Sequence, residues 1–196
     1  MLLDVTSAAQ AADAAASVER EFGRLDVLVN NAGILSQVPG VVENLRVTLE
    51  TNLFGAATAT EAFLPLLLKS EGARLVFVGS SMGSLAGSGD PQSRYYKAVT
   101  GASPLEYRVS KAALNMLMLE YWKRYGVHEG GTLRVFTADP GPNATNFIGG
   151  EETRELARQK GVPGPEVGAK VIAGVVRGEK DGQEGKMHGA YGISPW

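Results

Sequence analysis

Runs of apolar residues alternate along the chain with longer segments whose composition suits helices. Residues 25–29 (LDVLV), 75–78 (LVFV) and 133–137 (LRVFT) are largely apolar, which is typical of strands buried on both faces of a parallel sheet. Two weaker strands are predicted, one whose tail is Leu2-Leu3 and one over residues 187–191.

Helices are predicted between these strands. They cover residues 7–22, 42–69, 106–125, 151–160 and 165–177. Gly23 is a typical helix-ending residue, and Pro65 should bend the second helix. Residues 82–104 are rich in glycine, serine and proline, which predicts a long loop.

Alternating strands and helices predict one α/β domain over residues 1–196, built as a three-layer, doubly wound parallel sheet of the Rossmann-like type. Ligands of such sheets bind beyond the carboxyl ends of the strands. Polar residues stand at those ends: Asn30-Asn31, Ser80-Ser81 and Asp139. The pattern therefore predicts one wall of a ligand-binding crevice.

Composition narrows the classes of function. The net charge of −2 gives no indication of nucleic-acid or anionic-membrane binding, and no apolar run approaches the roughly 20 residues that span a bilayer. The start of the chain does not resemble a signal peptide. The absence of cysteine excludes disulfides and thiolate metal sites, and it fits a cytoplasmic location. His128 and His188 are far apart, which favours surface histidines over a metal site.

Tyr107 and Lys111 are the first candidates for chemistry. They are four residues apart on a predicted helix, so their side chains share one face. An ammonium near a phenol favours the phenolate and lowers the pKa of the tyrosine, which makes it a usable proton donor and acceptor. By itself this spacing also describes an ordinary surface pair.

Two further features strengthen the case. The run from Asn30 to Gly33 (NNAG) directly follows a predicted strand, where it is either an ordinary turn or a place at which a ligand approaches the backbone. Asn52 lies inside a predicted helix, where asparagine is unfavourable, so either a solvent-facing side chain or a functional reason is expected.

In this order, the residues NNAG, Asn52, Ser81, the YxxxK pair and Pro140-Gly141 resemble the classical short-chain dehydrogenase/reductase family. The resemblance runs over nearly the whole chain. It implies an oxidoreductase that transfers a hydride between a nicotinamide cofactor and a carbonyl or secondary alcohol. Tyr107 would be the general acid and base, and Lys111 would lower its pKa and hold the nicotinamide ribose. Ser81 would bind the substrate oxygen, and Asn52 would hold a water in the proton relay.

The same resemblance implies the cofactor-binding residues, with NADP favoured over NAD. These are Asp4 and Val5 at the adenine, Asn31, Ala32 and Gly33 beside the adenosine, Tyr107 and Lys111 at the ribose, and Pro140, Gly141 and Thr145 at the carboxamide. It implies a small-molecule substrate and a homodimer or homotetramer, with no nucleic-acid, membrane or metal partner. Pro142-Asn143 replaces the apolar pair that is usual in the family.

The chain departs from the family pattern at its start. No G-x-G-x-x-G turn precedes NNAG, so we expect a single incomplete domain that lacks the first βαβ portion. In that case the strand at 25–29 should present an unpaired edge. Two accounts stay open at this point: a fragment of an ordinary enzyme, or a truncated relative with impaired catalysis that acts as a non-enzymatic dimerisation partner or remnant.

Overall fold

A computed structural model describes residues 2–97, 105–147 and 149–196. The strands are β1 (Val27–Asn30), β2 (Arg74–Val78), β3 (Arg134–Asp139), β4 (Met187–Gly189) and β5 (Gly192–Ser194). The helices are α1 (Ala8–Phe22), α2 (Val41–Leu49), α3 (Ala56–Leu67), α4 (Leu85–Gly89), α5 (Arg94–Lys97), α6 (Leu105–Tyr125), α7 (Glu151–Gln159) and α8 (Pro165–Val176). A π-helical segment, Glu50–Gly55, joins α2 to α3, and two 3₁₀ turns lie at Ser81–Gly83 and Val127–Glu129.

The strands of the described residues form one sheet in the order β1-β2-β3-β4-β5. The first four run parallel, and β5 pairs antiparallel with β4. The register pairs Asn30 with Phe77 and Val78 with Ala138, so the carboxyl ends of β1, β2 and β3 reach the same edge. The polar residues that follow these three strands therefore stand at one edge of the sheet, as expected, and a ligand-binding crevice there stays a prediction.

Apolar side chains bury both faces of the sheet. On one face Leu75 packs in a core with residues of α3 and α6, among them Leu67 and Met118. On the other face Val76 packs against Val175 of α8. The prediction of an α/β fold with helices on both faces of a parallel sheet is confirmed, because the strands are apolar on both faces and helices cover each of them.

The first helix is capped at both ends by local contacts, and its end at Gly23 was predicted from the sequence. The hydroxyl of Ser7 accepts a hydrogen bond from the Gln10 N–H at the start of α1. Gly23 takes up the left-handed conformation (φ 74°) just after the helix and ends it, as expected of glycine there.

Several expectations need correction. Leu2 and Leu3 form no strand, and the predicted helix over residues 42–69 is interrupted by the π-helical segment. The predicted loop over 82–104 contains α4 and α5, and residues 98–104 lie outside the described part of the chain. The last weak strand is a hairpin of β4 and β5. His188 is buried, with Nε2 3.0 Å from the carbonyl oxygen of Gln183, so the prediction of a surface residue is wrong for this histidine.

β1 lies at one edge of the sheet among the described residues. Its residues Val27, Leu28 and Val29 are only partly buried, whereas Leu75, Val76 and Phe77 of the neighbouring β2 are fully buried. The expected unpaired apolar edge is therefore present in this structure.

The 3₁₀ turn after β2 lies directly against α6. A Cβ added to Gly83 would stand 2.6 Å from the backbone nitrogen of Ala112 and 2.6 Å from the carbonyl carbon of Lys111. Only a residue without a side chain allows this approach, which brings the turn after Ser80 close to the catalytic candidates on α6.

We expect Gly83→Ala to lower the free energy of unfolding by about 1–3 kcal/mol, because neither backbone can yield without moving α6. Urea unfolding followed by circular dichroism measures the loss. Gly89→Ala is the matched control, since a Cβ there meets nothing within 4 Å. Equal losses in both variants would contradict the close approach.

Candidate active site

α6 places Tyr107 and Lys111 one turn apart, on the face that looks toward the carboxyl end of β2. The Lys111 Nζ lies 5.6 Å from the centre of the Tyr107 ring and donates a hydrogen bond of 2.8 Å to the carbonyl oxygen of Val78. Lys111 is only 4% exposed, so its ammonium is taken almost completely out of water. Tyr107 is partly buried. The predicted pair is thus largely withdrawn from solvent and is not an ordinary surface pair.

The protonation of this pair differs from the expectation. The pKa of Tyr107 is raised to about 12, first by burial and then by the negative charge of Asp139, while a hydrogen bond from the Ser80 hydroxyl opposes both. Burial lowers the pKa of Lys111 to about 8, against the attraction of Asp139. The expected lowering of the tyrosine pKa is therefore wrong for this structure, because burial removes the solvent that would stabilise the phenolate. At neutral pH Tyr107 carries its proton.

The two serines after β2 have different partners. Ser80 begins the 3₁₀ turn, where its hydroxyl accepts from the Met82 N–H at 3.2 Å, and it also hydrogen-bonds to Tyr107. Ser81 is buried, and its hydroxyl bonds to the Asp139 carboxylate and to the Ser194 hydroxyl. The structure thus brings Ser81 into the site, with Ser80 as the direct neighbour of the phenol.

Asp139 is a residue that the sequence reasoning placed in the crevice wall without giving it a role. Its Oδ2 accepts hydrogen bonds from the Ser81 N–H at 2.8 Å and from the Ser81 hydroxyl, and its Oδ1 accepts from the Gly141 N–H at 2.9 Å. Asp139 is the last residue of β3, beside the end of β2, and this position could have indicated a role in the site.

Asn52 lies in the π-helical segment and is only 1% exposed. Its Oδ1 accepts from the Ile34 N–H at 2.7 Å, and its Nδ2 donates to the Ile34 carbonyl oxygen and to the hydroxyl of Ser110. The solvent-facing alternative is wrong. The amide instead ties the segment after NNAG to α6, which explains an asparagine inside a helical region.

The NNAG run leaves the end of β1 as predicted. Asn30 is buried and donates from Nδ2 to the Thr60 hydroxyl at 2.8 Å, whereas Asn31 and Ala32 are exposed. A Cβ on Gly33 would lie 3.4 Å from Asn52 Oδ1 and 3.8 Å from the Lys111 Nζ. The backbone of Gly33 therefore adjoins the catalytic candidates.

The segment after β3 is braced by Asn143. Its Nδ2 donates to the carbonyl oxygens of Pro140 and Gly141, and its Oδ1 accepts from the Gly168 N–H at the start of α8. This residue, noted in the sequence as an unusual replacement, holds the loop that carries Pro140 and Gly141. Thr145 follows on the same loop, and its hydroxyl accepts from the Phe147 N–H at 3.3 Å.

Phe147 is a neighbour of the phenol that sequence reasoning missed. Its ring meets that of Tyr107 edge to face, with centroids 5.7 Å apart. Phe147 lies in an irregular segment, so no hydrophobic periodicity in the sequence indicated its position beside Tyr107.

The remaining predicted cofactor residues lie near the amino end of the chain. Asp4 is exposed, and its carboxylate accepts from the N–H and the hydroxyl of Thr6. Val5 approaches the π-helical segment closely, since a Cβ on Gly55 would lie 2.7 Å from its Cγ2. Hydrogen bonds between Thr6 and Asp4 lower the pKa of the Asp4 carboxyl below its usual value.

Over residues 2–97, 105–147 and 149–196, no cluster of His, Asp or Glu side chains is arranged to hold a metal ion. None of the helices in these same ranges has both the length and the apolar character required to cross a membrane.

Comparison with known proteins agrees with this geometry. A family model described as short chain dehydrogenase matches residues 1–155. The chain is 34% identical over 203 aligned positions to the short-chain dehydrogenase/reductase tropE of Talaromyces stipitatus, covering 95% of this chain and 72% of that protein. It is 32% identical over 217 positions to the short-chain dehydrogenase/reductase eupG of Phoma sp, covering 100% of this chain and 76% of that protein.

Among solved structures, the NADPH-bound carbonyl reductase from chicken fatty liver is similar at a TM-score of 0.75 and 23% identity, covering 99% of this chain and 75% of that one. This likeness concerns the fold. The family model spans most of the chain, and two relatives exceed 30% identity. The chain therefore belongs to the short-chain dehydrogenase/reductase family, whose members are oxidoreductases.

Proposed function

We propose that this chain transfers a hydride between NADP(H) or NAD(H) and a carbonyl or secondary alcohol, with Tyr107 as the general acid and base. The observation that carries the proposal is the buried Lys111, which hydrogen-bonds to Val78 at the end of β2 and lies 5.6 Å from the ring of Tyr107. The nicotinamide ring, when bound, supplies or accepts the hydride, and the protein supplies position and proton transfer.

A nicotinamide cofactor fits the residues at this edge of the sheet. Gly33 adjoins Lys111 with no side chain in the way, and Gly141 has open space beside its α-carbon at a φ of 68°. Backbone without side chains thus stands beside the donors and acceptors at this edge, as close binding of a dinucleotide requires.

We assign the parts of the cofactor to the residues that the family resemblance implies. Those that would hold it are Asp4 and Val5 at the adenine, Asn31, Ala32 and Gly33 along the adenosine, Tyr107 and Lys111 at the ribose, and Pro140, Gly141 and Thr145 at the carboxamide. NADP is the first cofactor to test, supported by the NADPH bound to the chicken carbonyl reductase.

The protonation of Tyr107 suits the proton-donating step of carbonyl reduction. A tyrosine with a pKa of about 12 keeps its proton at neutral pH and can donate it to an oxygen that gains negative charge. Ser81 contributes a hydroxyl beside the reacting oxygen. Asn52 fixes the wall between β1 and α6 through Ile34 and Ser110, and its part in a water relay stays a prediction.

A non-catalytic role as a truncated dimerisation partner is not favoured. Tyr107 and Lys111 lie together on α6, and the two relatives compared above carry the name dehydrogenase/reductase, which supports an enzyme. The substrate we propose is a small molecule.

A homodimer or homotetramer is also proposed, with α3 and α6 at the interface. Apolar side chains exposed on or beside these helices support it, namely Phe54, Leu68 and Met116. Sedimentation equilibrium of the full chain measures the assembly, and a monomer at all concentrations would contradict it. The cytoplasm is the proposed compartment, because a chain without cysteine suits reducing conditions.

We expect Tyr107→Phe to lower the rate of carbonyl reduction by a factor of roughly 10²–10⁴, because the ring stays and only the transferable proton is lost. The absorbance of NADPH, followed with a panel of small ketones, measures turnover of the full chain. Tyr96→Phe is the matched control, since Tyr96 is an exposed tyrosine on α5. Turnover that survives Tyr107→Phe would overturn the proposed function.

We expect the buried ammonium of Lys111 to lower the free energy of unfolding at neutral pH. Its pKa falls from 10.5 to about 8 on folding, so below pH 8 the folded state bears the full penalty of burying the ammonium. Between pH 8 and 10.5 the unfolded chain binds more protons, so the penalty shrinks as the pH rises.

We therefore expect Lys111→Met to raise the free energy of unfolding at pH 7 by an amount on the order of 1–3 kcal/mol and to abolish turnover. Urea unfolding at several pH values measures the gain, which should vanish near pH 10.5. Lys123→Met is the control, because Lys123 is exposed on the same helix. A Lys111→Met variant less stable than the wild type at pH 7 would contradict the expectation.

A further inference from the structure

Arg108 stands next to Tyr107 on α6 and joins this helix to a separate segment of the chain. Its Nη1 donates a hydrogen bond of 2.9 Å to the carbonyl oxygen of Tyr95, and its Nη2 donates one of 2.6 Å to the Ser88 hydroxyl. We call residues 84–95, which contain α4 and the start of α5, the α4–α5 segment. The two hydrogen bonds, together the Arg108 bridge, hold α4 and α5 at once.

The guanidinium of Arg108 is placed by these two oxygens and not by a carboxylate. It is partly buried, it forms no ion pair in the described part of the chain, and residues 98–104 include no acidic residue. A guanidinium can reach two acceptors together because its donors diverge in a rigid plane, whereas a lysine ammonium is a point charge on a flexible stem. The Arg108 bridge therefore requires an arginine.

The α4–α5 segment begins at the edge of the sheet where the candidate active site lies. The 3₁₀ turn Ser81–Gly83 leads directly into it, and the Ser84 hydroxyl accepts a hydrogen bond of 2.9 Å from the Gly87 N–H at the start of α4. The far end of the segment folds back onto this turn, because a Cβ on Gly87 would lie 3.3 Å from Cδ2 of Tyr95. The α4–α5 segment is thus one packed unit.

The outer side of this unit rests on the hairpin of β4 and β5. There the Arg94 guanidinium lies 5.6 Å from the centre of the Tyr191 ring, a contact that does not involve α6. Within residues 84–95, both described hydrogen bonds to α6 come from Arg108. The place of the segment beside the helix of Tyr107 is therefore fixed by hydrogen bonds from a single side chain.

The α4–α5 segment and the hairpin turn beside it present apolar and aromatic groups to solvent. Leu85, the first residue of α4, is 71% exposed, and Tyr191 beside Arg94 is 84% exposed. Aryl groups bind well against such a surface, because they gain from apolar contact and from stacking on the faces of rings and guanidinium groups. This chemistry fits the aryl part of a ketone whose carbonyl lies at Tyr107.

We propose that Arg108 is a positioning residue that holds the α4–α5 segment against α6, so that the segment forms a binding surface for the aryl group of an aromatic ketone. This inference rests on the proposed function and names the substrate class of its site. Arg108 acts through the place of the segment and not through the proton of Tyr107, because the pKa of Tyr107 is shifted by burial, Asp139 and Ser80.

The first experiment tests the Arg108 bridge without turnover, by limited trypsin digestion of the full chain followed by mass spectrometry. Arg108→Gln should raise the rate of cleavage after Arg94 by about tenfold, because the hydrogen bonds that hold the segment are lost. Cleavage after Arg158, an exposed residue of α7, is the internal reference. Arg124→Gln, which changes an exposed arginine of α6, is the matched control. An unchanged rate after Arg94 in Arg108→Gln overturns the inference.

The second experiment measures KM and kcat with NADPH and two methyl ketones, 2-butanone and acetophenone. Arg108→Gln should raise the KM for acetophenone by about tenfold, because the aryl group loses the surface that binds it. The KM for 2-butanone and both kcat values should stay unchanged, and Arg124→Gln should alter none of these constants. An equal rise of KM for the two ketones would show general damage to the site and overturns the proposal.

Arg108→Lys separates the bridge from the charge. The lysine keeps the positive charge but cannot reach both oxygens, so the KM for acetophenone should still rise by about threefold. A lysine variant with the wild-type KM would show that charge alone is needed, and it overturns the bridge.

A double-mutant cycle of Ser88→Ala and Arg108→Gln tests the pairing itself. Ser88→Ala should speed trypsin cleavage after Arg94 in the wild-type background and have little effect once Arg108 is replaced. Equal effects in both backgrounds contradict the bridge. Should Arg108→Gln not fold, Ser88→Ala and Arg108→Lys decide in its place. A wild-type chain that reduces neither ketone defeats the proposed function, while the trypsin rates still judge the bridge.

Discussion

The amide of Asn52 is the contact on which the arrangement of the site depends. It is almost completely buried, and each of its polar atoms must find a partner there, because an unpaired amide in the interior is costly. The partners come from two distant segments: the backbone of Ile34 and the hydroxyl of Ser110. The π-helical segment turns this amide toward both of them, and α6 is thereby held against the segment that follows β1.

Burial on α6 then sets the chemistry. Burial lowers the pKa of Lys111 to about 8 and is the main reason why the pKa of Tyr107 rises to about 12. At neutral pH the phenol is therefore protonated, and the Lys111 ammonium is within about one pH unit of its pKa. Asp139 raises the pKa of both groups, so it adds to the effect of burial on Tyr107 and opposes the effect of burial on Lys111. It also hydrogen-bonds to the Ser81 hydroxyl. Solvent exclusion and one buried carboxylate are therefore the main influences on the protonation of this pair.

Much of the fold could be predicted, because strands and helices show up in the sequence as patterns of apolar and polar residues. The apolar runs marked β1, β2 and β3, and Ser7 and Gly23 marked the two ends of α1. The π-helical segment at Asn52 left only a hint, an asparagine where a helix disfavours one. The short helices α4 and α5 were missed, because glycine, serine and proline indicate irregular backbone even where local hydrogen bonds close single turns.

The sequence by itself determined the family, the parallel sheet and the identity of Tyr107, Lys111, Ser81 and Asn52 as candidates, since these are properties of local pattern and spacing. Only the tertiary structure decided what each side chain touches. The contact of Ser81 with Asp139, the brace formed by Asn143 and the place of Phe147 beside the phenol all arise between segments far apart along the chain. The pKa of Tyr107 was misjudged for the same reason: spacing along a helix reports a neighbouring charge, whereas desolvation is set by everything that packs around it.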